Sequence, residues 1–205
     1  MVTRDDDRPT LVARVDPALC VSCGLCAGSC APMGVGPSGR TGRDQLGDIR
    51  AHVLPELERL AAMPIVAVCC AEAPPLQVAA LRRRGAYVHT VSCAGNLHTS
   101  VVEQLLRGGV PGVVVCACPP RDCVSREGPK WLAARFYDER EAELQARVDR
   151  RRVRTLTLAP GTAAAALAEY DEFAQDVAPL ASPERAPDSE LEFVCDPIPF
   201  AEDRR

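Results

Sequence analysis

From residue 64 onward, short apolar runs alternate with stretches whose apolar residues recur with the period of a helix. The apolar runs are rich in valine and have the length of buried strands. They occupy residues 65–68, 86–91, 112–115 and 153–158. The stretches that follow them predict helices over 74–84, 96–107, 129–151 and 162–177. This alternation predicts an α/β fold, in which helices flank a parallel sheet of the flavodoxin-like or Rossmann-like kind.

Before residue 64 the pattern changes, and the change divides the chain into parts. A glycine-rich stretch follows a first group of cysteines, and Leu46, Ile49 and Leu57 then fall on one stripe of a helix predicted over 44–62. The chain after residue 178 is rich in proline and acidic residues. We predict four parts: a small cysteine module with its glycine-rich linker (10–43), a connecting helix (44–63), the α/β domain (64–178) and an acidic, proline-rich tail (179–205).

Composition and charge narrow the class of protein. The net charge of −4 argues against a nucleic-acid partner. The charged N-terminus lacks the apolar segment of a signal peptide, and no apolar run approaches the ~20 residues of a membrane span. We therefore expect a cytoplasmic protein, either free or on the cytoplasmic face of a membrane complex. In that compartment, the eleven cysteines are expected to bind metal rather than form disulfides.

The first group of cysteines has the spacing of a ferredoxin-type module. Cys20, Cys23, Cys26 and Cys30 form a C-x2-C-x2-C-x3-C run with a proline close behind it. This run binds a [4Fe–4S] cluster in bacterial ferredoxins, whereas structural zinc sites favour separate C-x2-C pairs. In ferredoxins with two clusters the fourth cysteine of the run serves the other cluster. Because this chain has one run, its fourth ligand is either Cys30 or the remote Cys195.

A second group of cysteines follows the predicted strands of the α/β domain. Cys70, Cys93 and Cys118 each stand at the carboxyl end of a strand, and Cys123 lies in the loop after the third. If these strands are neighbours, four thiols converge at one edge of the sheet, which is where ligands bind in open parallel sheets. Four thiolates are a complete ligand set for a [2Fe–2S] or [4Fe–4S] cluster.

The two remaining cysteines of the domain stand one or two positions earlier on their strands. Side chains alternate along a strand, so Cys69 and Cys116 should point to the opposite face, as core residues or spare ligands. A single buried cysteine commonly packs as a small apolar residue. Cysteines at three successive strand ends instead favour a metal site.

The segment 65–178 resembles the delta subunit of methyl-viologen-reducing hydrogenase. That family has Phe-Cys-Cys-Asn-Trp-Cys, Cys-Ser-Gly-Arg and Gly-Cys-His-x-Gly-Asp-Cys-His at its first three strand ends. The matching segments here are Val68-Cys-Cys-Ala-Glu-Ala73, Cys93-Ala-Gly-Asn96 and Ala117-Cys-Pro-Pro-Arg-Asp-Cys-Val124. Gly128, Trp131 and Arg135 fit the following Gly-Asn-Tyr…Arg segment of the family. Ala73 replaces a family cysteine, and Pro119 and Val124 replace its histidines, which leaves the type of cluster open.

The resemblance implies a subunit that carries electrons and performs no catalysis of its own. The family holds a [2Fe–2S] cluster and passes electrons from a hydrogenase to the flavoprotein subunit of heterodisulfide reductase. A ferredoxin-type [4Fe–4S] module would extend this path, and further partners would include other redox subunits or a membrane cytochrome. Two alternatives remain at this point: a metal-stabilised regulatory module without electron transfer, and a thiol-redox enzyme using Cys116 and Cys118. The latter lacks a C-x2-C motif at a helix N-terminus.

Overall fold

A four-stranded parallel sheet forms the centre of the fold, as the sequence predicts. The computed structural model of the protein describes residues 2–3, 9–10, 15–140 and 142–180. Near the N-terminus, β1 (Val2–Thr3) pairs with β2 (Pro9–Thr10) in an antiparallel arrangement. The central strands are β3 (Val66–Cys70), β4 (Tyr87–Val91), β5 (Val113–Ala117) and β6 (Val153–Thr157). They lie in the order β4-β3-β5-β6, with every pair parallel.

Helices cover both faces of this sheet. They are α1 (Leu25–Ser29), α2 (Gly42–Asp48), a π turn (Ile49–Val53), α3 (Leu54–Glu58), α4 (Pro75–Arg83), α5 (Thr99–Arg107), α6 (Gly128–Tyr137) and α7 (Ala163–Val177). Single 3-10 turns occur at Ala94–Asn96, Arg150–Arg152 and Ala178–Leu180. Within the described part of the chain, no helix combines the length and apolarity needed to span a bilayer.

The alternation of side chains on β3 and β5 creates two separate cores. Val66 and Val68 point to the face covered by the π turn, α5 and α6, where Leu97 and Phe136 are also buried. Ala67 and its neighbours point to the opposite face, covered by α4 and α7. Every residue of β3 and β5 is buried, which explains why their sequences are apolar throughout rather than alternating.

The connecting helix begins earlier and ends earlier than the predicted range of 44–62. It starts at Gly42 because Thr41 and Asp44 form a reciprocal capping box, with Thr41 Oγ1 accepting from Asp44 N at 3.2 Å. A π turn follows, in which Leu54 N donates to Ile49 O, just before Pro55 in the first turn of α3. The wider turn precedes a proline that has no N–H to offer an α-helical bond.

The helix predicted over 129–151 ends at Tyr137, so this prediction is wrong. Glu139 and Ala142 adopt positive φ angles of 51° and 58°, which an α-helix does not accommodate. The chain turns back there, and Leu144 N donates to Arg135 O at 3.0 Å. Leu144 is 1% exposed and joins the core beside α6. Burial of this leucine outweighs the helical propensity of the segment.

The packing of Leu144 can be tested by truncation. We expect Leu144→Ala to lower the free energy of unfolding by about 2–5 kcal/mol, because it removes a fully buried side chain and leaves a cavity. Urea denaturation followed by circular dichroism measures the change. The exposed neighbour Glu143 provides the control, since Glu143→Ala should stay within about 0.5 kcal/mol of the unmodified chain. Equal effects of the two substitutions would contradict the observed path of the segment.

Candidate functional site

Three cysteines stand side by side at the carboxyl edge of the sheet. Cys70 is the last residue of β3, Cys118 follows β5 directly, and Cys93 follows β4 after Ser92. Because β3 lies between β4 and β5, these are neighbouring strand ends, which is the condition that the sequence argument assumed. The edge between β3 and β5 is also where the connections diverge to opposite sides, the usual ligand site of an open parallel sheet.

The thiols at this edge contact one another. Cys118 Sγ lies 3.7 Å from Cys70 Sγ, and the Cys93 thiol hydrogen-bonds with Cys70. Cys123, in the loop after β5, interacts in turn with Cys93. Cys70, Cys93 and Cys118 are buried, whereas Cys123 is partly exposed. The structure thus brings together the four cysteines of the second group, which we call the sheet-edge cysteines.

Two glycines allow the loops that carry these thiols to approach. A Cβ added at Gly128, the first residue of α6, would lie 2.9 Å from Cys93 Sγ and 3.2 Å from Cys123 Sγ. A Cβ added at Gly95 would lie 2.3 Å from Gly128 Cα. The two backbones therefore pack against each other beside the sulfurs. A side chain at either position would separate the Cys93 loop from α6.

The sheet-edge thiols differ in acidity. The hydrogen bond from Cys93 lowers the pKa of Cys70, and the same bond together with burial raises the pKa of Cys93. Burial raises the pKa of Cys118 and the pKa of Cys123. Four thiolates so close together repel one another, so full ionisation of the group requires positive charge among them. Metal centres supply such charge, and soft metals prefer thiolate ligands.

Cys69 and Cys116 lie on the opposite face of the sheet, as predicted. Alternation explains this for Cys69, which precedes Cys70 by one residue. Cys118 leaves the face of Cys116, two residues earlier, because β5 ends at Ala117. They are register partners on β3 and β5, and both are 0% exposed. Their neighbours in this second core include Leu156 and Tyr170. Their packing is that of core residues, away from the sheet-edge cysteines.

Comparison with known protein families agrees with this arrangement. The family model described as methyl-viologen-reducing hydrogenase, delta subunit, matches residues 65–181, which is more than half of the chain. The chain belongs to this family. A search among curated proteins found no match. The family assignment connects the chain with hydrogenase-associated redox complexes, and the resemblance seen in the sequence is confirmed.

The delta-subunit match contains all of the sheet-edge cysteines but begins after the ferredoxin-type run. In that run α1 carries Cys26, and Cys30 follows its end. Cys20 and Cys26 are exposed, whereas Cys23 and Cys30 are partly buried. Cys195, the alternative fourth ligand, lies outside the described residues, as does most of the predicted tail.

The ferredoxin-type run packs directly against the delta-subunit domain. A Cβ added at Gly24 would lie 3.0 Å from Asn96 Nδ2, and the Leu25 side chain approaches Gly95. At the other end of α1, Arg135 Nη1 donates to Ser29 Oγ at 3.2 Å. The 3-10 turn after Cys93 is therefore shared, because it borders the sheet-edge cysteines on one side and α1 on the other.

Two residues at this junction were missed as site residues by reasoning from the sequence. Gly95 follows Cys93 closely, and a glycine near a ligand cysteine is a weak signal for close backbone approach. Arg135 was noticed through its family resemblance alone. The sequence around Arg135 does not indicate that its side chain is completely buried, at 0% exposure, because arginine in a helix is usually solvated.

Proposed function

We propose that the chain is an iron–sulfur electron-transfer subunit that relays electrons to a flavoprotein or another redox partner. One observation carries this proposal: four cysteines gather at the carboxyl edge of the sheet in a member of the delta-subunit family. Cysteine sulfur is the ligand of iron–sulfur clusters, and four thiolates complete the set. The chain would act as a link within a complex rather than as the site of bond chemistry.

The spacing of the sulfurs fits a cluster with two metal centres. Among the described residues, no three His, Cys, Asp or Glu side chains are placed to hold a single metal ion. The pair Cys70 and Cys118, however, has a sulfur separation of 3.7 Å. Two thiolates on one tetrahedral metal, with bonds of about 2.3 Å, stand about 3.8 Å apart. We therefore propose that Cys70 and Cys118 would bind one iron of a [2Fe–2S] cluster, and that Cys93 and Cys123, on either side of Gly128, would bind the other.

A cluster held there would accept one electron at a time, and the surrounding residues would set its reduction potential. Gly95 N donates to Cys93 Sγ at 3.3 Å, and such hydrogen bonds to sulfur favour the reduced state. The buried thiols keep water from one side of the site. Cys123 is the least buried, and the adjacent Val124 is 74% exposed. We propose this side as the surface that a redox partner contacts.

The second proposed cofactor is a [4Fe–4S] cluster bound by Cys20, Cys23, Cys26 and Cys30. Its support is the spacing of the run together with two positive φ angles, 52° at Ser22 and 78° at Gly24. Left-handed residues in such a turn can point successive N–H groups toward one side, and concave backbone surfaces of this kind occur at iron–sulfur sites. Electrons would then pass between this cluster and the sheet-edge cluster.

Metal analysis of the full chain, purified without oxygen, tests the proposal. We expect about six iron atoms and a matching amount of acid-labile sulfide per chain, with the visible absorbance of iron–sulfur clusters. Zinc without sulfide would overturn the proposal in favour of a regulatory module stabilised by zinc. Thiols without either metal would overturn it in favour of thiol-redox chemistry.

The partner is tested separately, by purification from the native source followed by reduction of the isolated chain. A flavoprotein that copurifies and reduces the clusters supports the relay. If the iron-loaded chain purifies alone and no flavoprotein reduces it, the electron-transfer role is wrong even though the clusters exist.

The fourth ligand of the [4Fe–4S] cluster can be identified by two parallel substitutions. We expect Cys30→Ser to abolish the electron paramagnetic resonance signal of this cluster and to lower the iron content by about four atoms. Cys30 directly follows Ser29, which Arg135 holds against the domain. Cys195→Ser should leave both the signal and the iron unchanged. The reverse pattern would assign the ligand to Cys195.

A further inference from the structure

Arg135 is a charged side chain buried completely within the protein. It lies on α6 and is 0% exposed. Within the part of the chain that the structure describes, no carboxylate lies within ion-pair distance of it, and its Nε has no hydrogen-bond partner. Arg147 is different, because it forms an ion pair with the buried Glu103 and is itself largely exposed. A buried cation without a counter-charge is rare, because desolvating it is costly.

The Arg135 guanidinium donates hydrogen bonds to neutral oxygens that lie near both groups of cysteines. Nη2 donates to Gly95 O at 2.8 Å and to Leu97 O at 3.2 Å, in the loop after Cys93. Nη1 donates to Ser29 Oγ at 3.2 Å, beside Cys30. The guanidinium therefore lies between the sheet-edge cysteines and the ferredoxin-type run.

Gly28 leaves room for this guanidinium because it has no side chain. A Cβ added at Gly28, within α1, would lie 2.7 Å from Arg135 Nη2 and 3.0 Å from its Cζ. Any other residue at position 28 would collide with the planar group. At Gly28, the backbone of helix α1 therefore approaches the guanidinium directly.

Electrostatics at this position favours negative charge nearby. The pKa of Arg135 is lowered to about 10, mainly by burial and to a smaller extent by the charge of Arg140, while the charge of Cys93 acts in the opposite direction. Arg135 is still protonated at neutral pH, so it carries a full positive charge. Its described hydrogen-bond partners are all uncharged and do not neutralise this charge. An iron–sulfur cluster with four thiolate ligands carries net negative charge and would do so.

We propose that Arg135 is a positioning residue and a shared counter-cation, which raises the reduction potential of the sheet-edge cluster and holds the Cys30 end of α1 beside it. This inference rests on the proposed function, since it requires that the clusters bind. Reduction adds one electron to the cluster and increases its negative charge. A buried cation beside it stabilises the reduced form more than the oxidised form.

A purely structural role would give a different result, because one of the same three hydrogen bonds, from Arg135 Nη1 to Ser29 Oγ, also joins α1 to the domain. The chain offers a control in Arg152, which is partly buried and likewise donates to backbone carbonyl groups. Arg152 Nε donates to Pro111 O at 2.9 Å and its Nη2 donates to Val110 O at 2.5 Å. These contacts lie at the amino-terminal edge of the sheet, away from the sheet-edge cysteines. Arg152→Met therefore removes a comparable set of bonds without removing a charge from the site.

The experiment is a redox titration of the full iron-loaded chain, with each cluster followed by electron paramagnetic resonance. We expect Arg135→Met to lower the equilibrium constant for one-electron reduction of the sheet-edge cluster by about tenfold or more, with ~59 mV for each factor of ten. Arg135→Lys keeps the charge and should remain within about threefold of the unmodified chain. For Arg152→Met, this equilibrium constant should also remain within about threefold of that of the unmodified chain. Fluorescence of Trp131, the single tryptophan, reports whether α6 keeps its environment.

The outcomes separate this inference from the proposed function. If the unmodified chain binds no iron, the proposed function fails. If it binds iron and Arg135→Met shifts the potential no more than Arg152→Met, the counter-cation role is wrong. If Arg135→Met does not fold, Arg135→Gln replaces it, since glutamine is neutral but still donates hydrogen bonds. An unchanged potential in Arg135→Gln would equally overturn the inference, and a tenfold fall with an unchanged potential in Arg135→Lys supports it.

Discussion

The Cys118→Ala variant is expected to lose the sheet-edge cluster while the protein keeps its fold. Cys118 Sγ is 3.7 Å from Cys70 Sγ, and the two form one of the two proposed ligand pairs. Because Ala73 stands where the family has a further cysteine, no spare thiol follows β3 in its place. Iron per chain should fall by about two atoms, with an equal loss of acid-labile sulfide. Iron and sulfide analysis of protein purified without oxygen measures both.

Cys116 supplies the matched control for this substitution. It lies on β5, the strand that Cys118 directly follows, but its side chain points into the opposite core, where it is 0% exposed beside Cys69. Cys116→Ala should therefore cost about 1 kcal/mol of stability through a small cavity and leave the iron content unchanged. Loss of iron in Cys116→Ala, or full retention of iron in Cys118→Ala, would contradict the proposal that Cys118 rather than Cys116 is a cluster ligand.

The sheet and the place of its cysteines could be predicted because they follow from local patterns. Runs of valine between helical stretches fix a parallel sheet, and a period of two assigns each residue of a strand to a face. The separation of Cys70 from Cys69 follows from that period, and the structure confirms it. The order of the strands was an assumption in the sequence argument. It holds because β3 lies between β4 and β5.

The region after α6 could not be predicted, because distant contacts decide its path. Residues 138–151 have helical composition, yet the chain leaves the helix at Tyr137 to bury Leu144. On a continuous helix, Glu143 and Arg147 would stand four positions apart and could form an ion pair. Arg147 instead pairs with Glu103 of α5, with Nη2 and Oε2 2.8 Å apart. A sequence pattern contains no information on which distant side chain will be available.

The junction between the two groups of cysteines depends on contacts that are still more remote in sequence. Arg135 and Ser29 are 106 residues apart along the chain. The glycine-rich segment between the ferredoxin-type run and the connecting helix does not by itself fix where the module rests. The structure shows α1 packed against the turn after Cys93 and against α6. Glycines that leave room for neighbouring side chains allow this contact, with Gly28 beside Arg135 and Gly95 beside Leu25, and hydrophobic periodicity does not report it.

Gly95→Ala is expected to disrupt both sides of this junction. The added Cβ would fall 2.3 Å from Gly128 Cα, 2.7 Å from Gly128 O and 2.6 Å from Leu25 Cδ2. The first two atoms belong to the backbone and cannot rotate away, so the turn after Cys93 must move from α6. Overpacking of this kind costs about 1–3 kcal/mol. The same movement separates Cys93 from Cys123, so we also expect the sheet-edge iron to be lost.

Gly47→Ala is the control that distinguishes a steric effect from a general intolerance of alanine. Gly47 lies within α2, and a Cβ added there would meet no atom within 4 Å. Alanine lowers the conformational entropy of the unfolded chain and favours the helix, so this variant should be more stable by about 0.5–1 kcal/mol. Urea denaturation and iron analysis of both variants test the pair. If Gly95→Ala keeps its iron and its stability, the two backbones do not approach as closely as the structure shows, and the sheet-edge cysteines are held by other contacts.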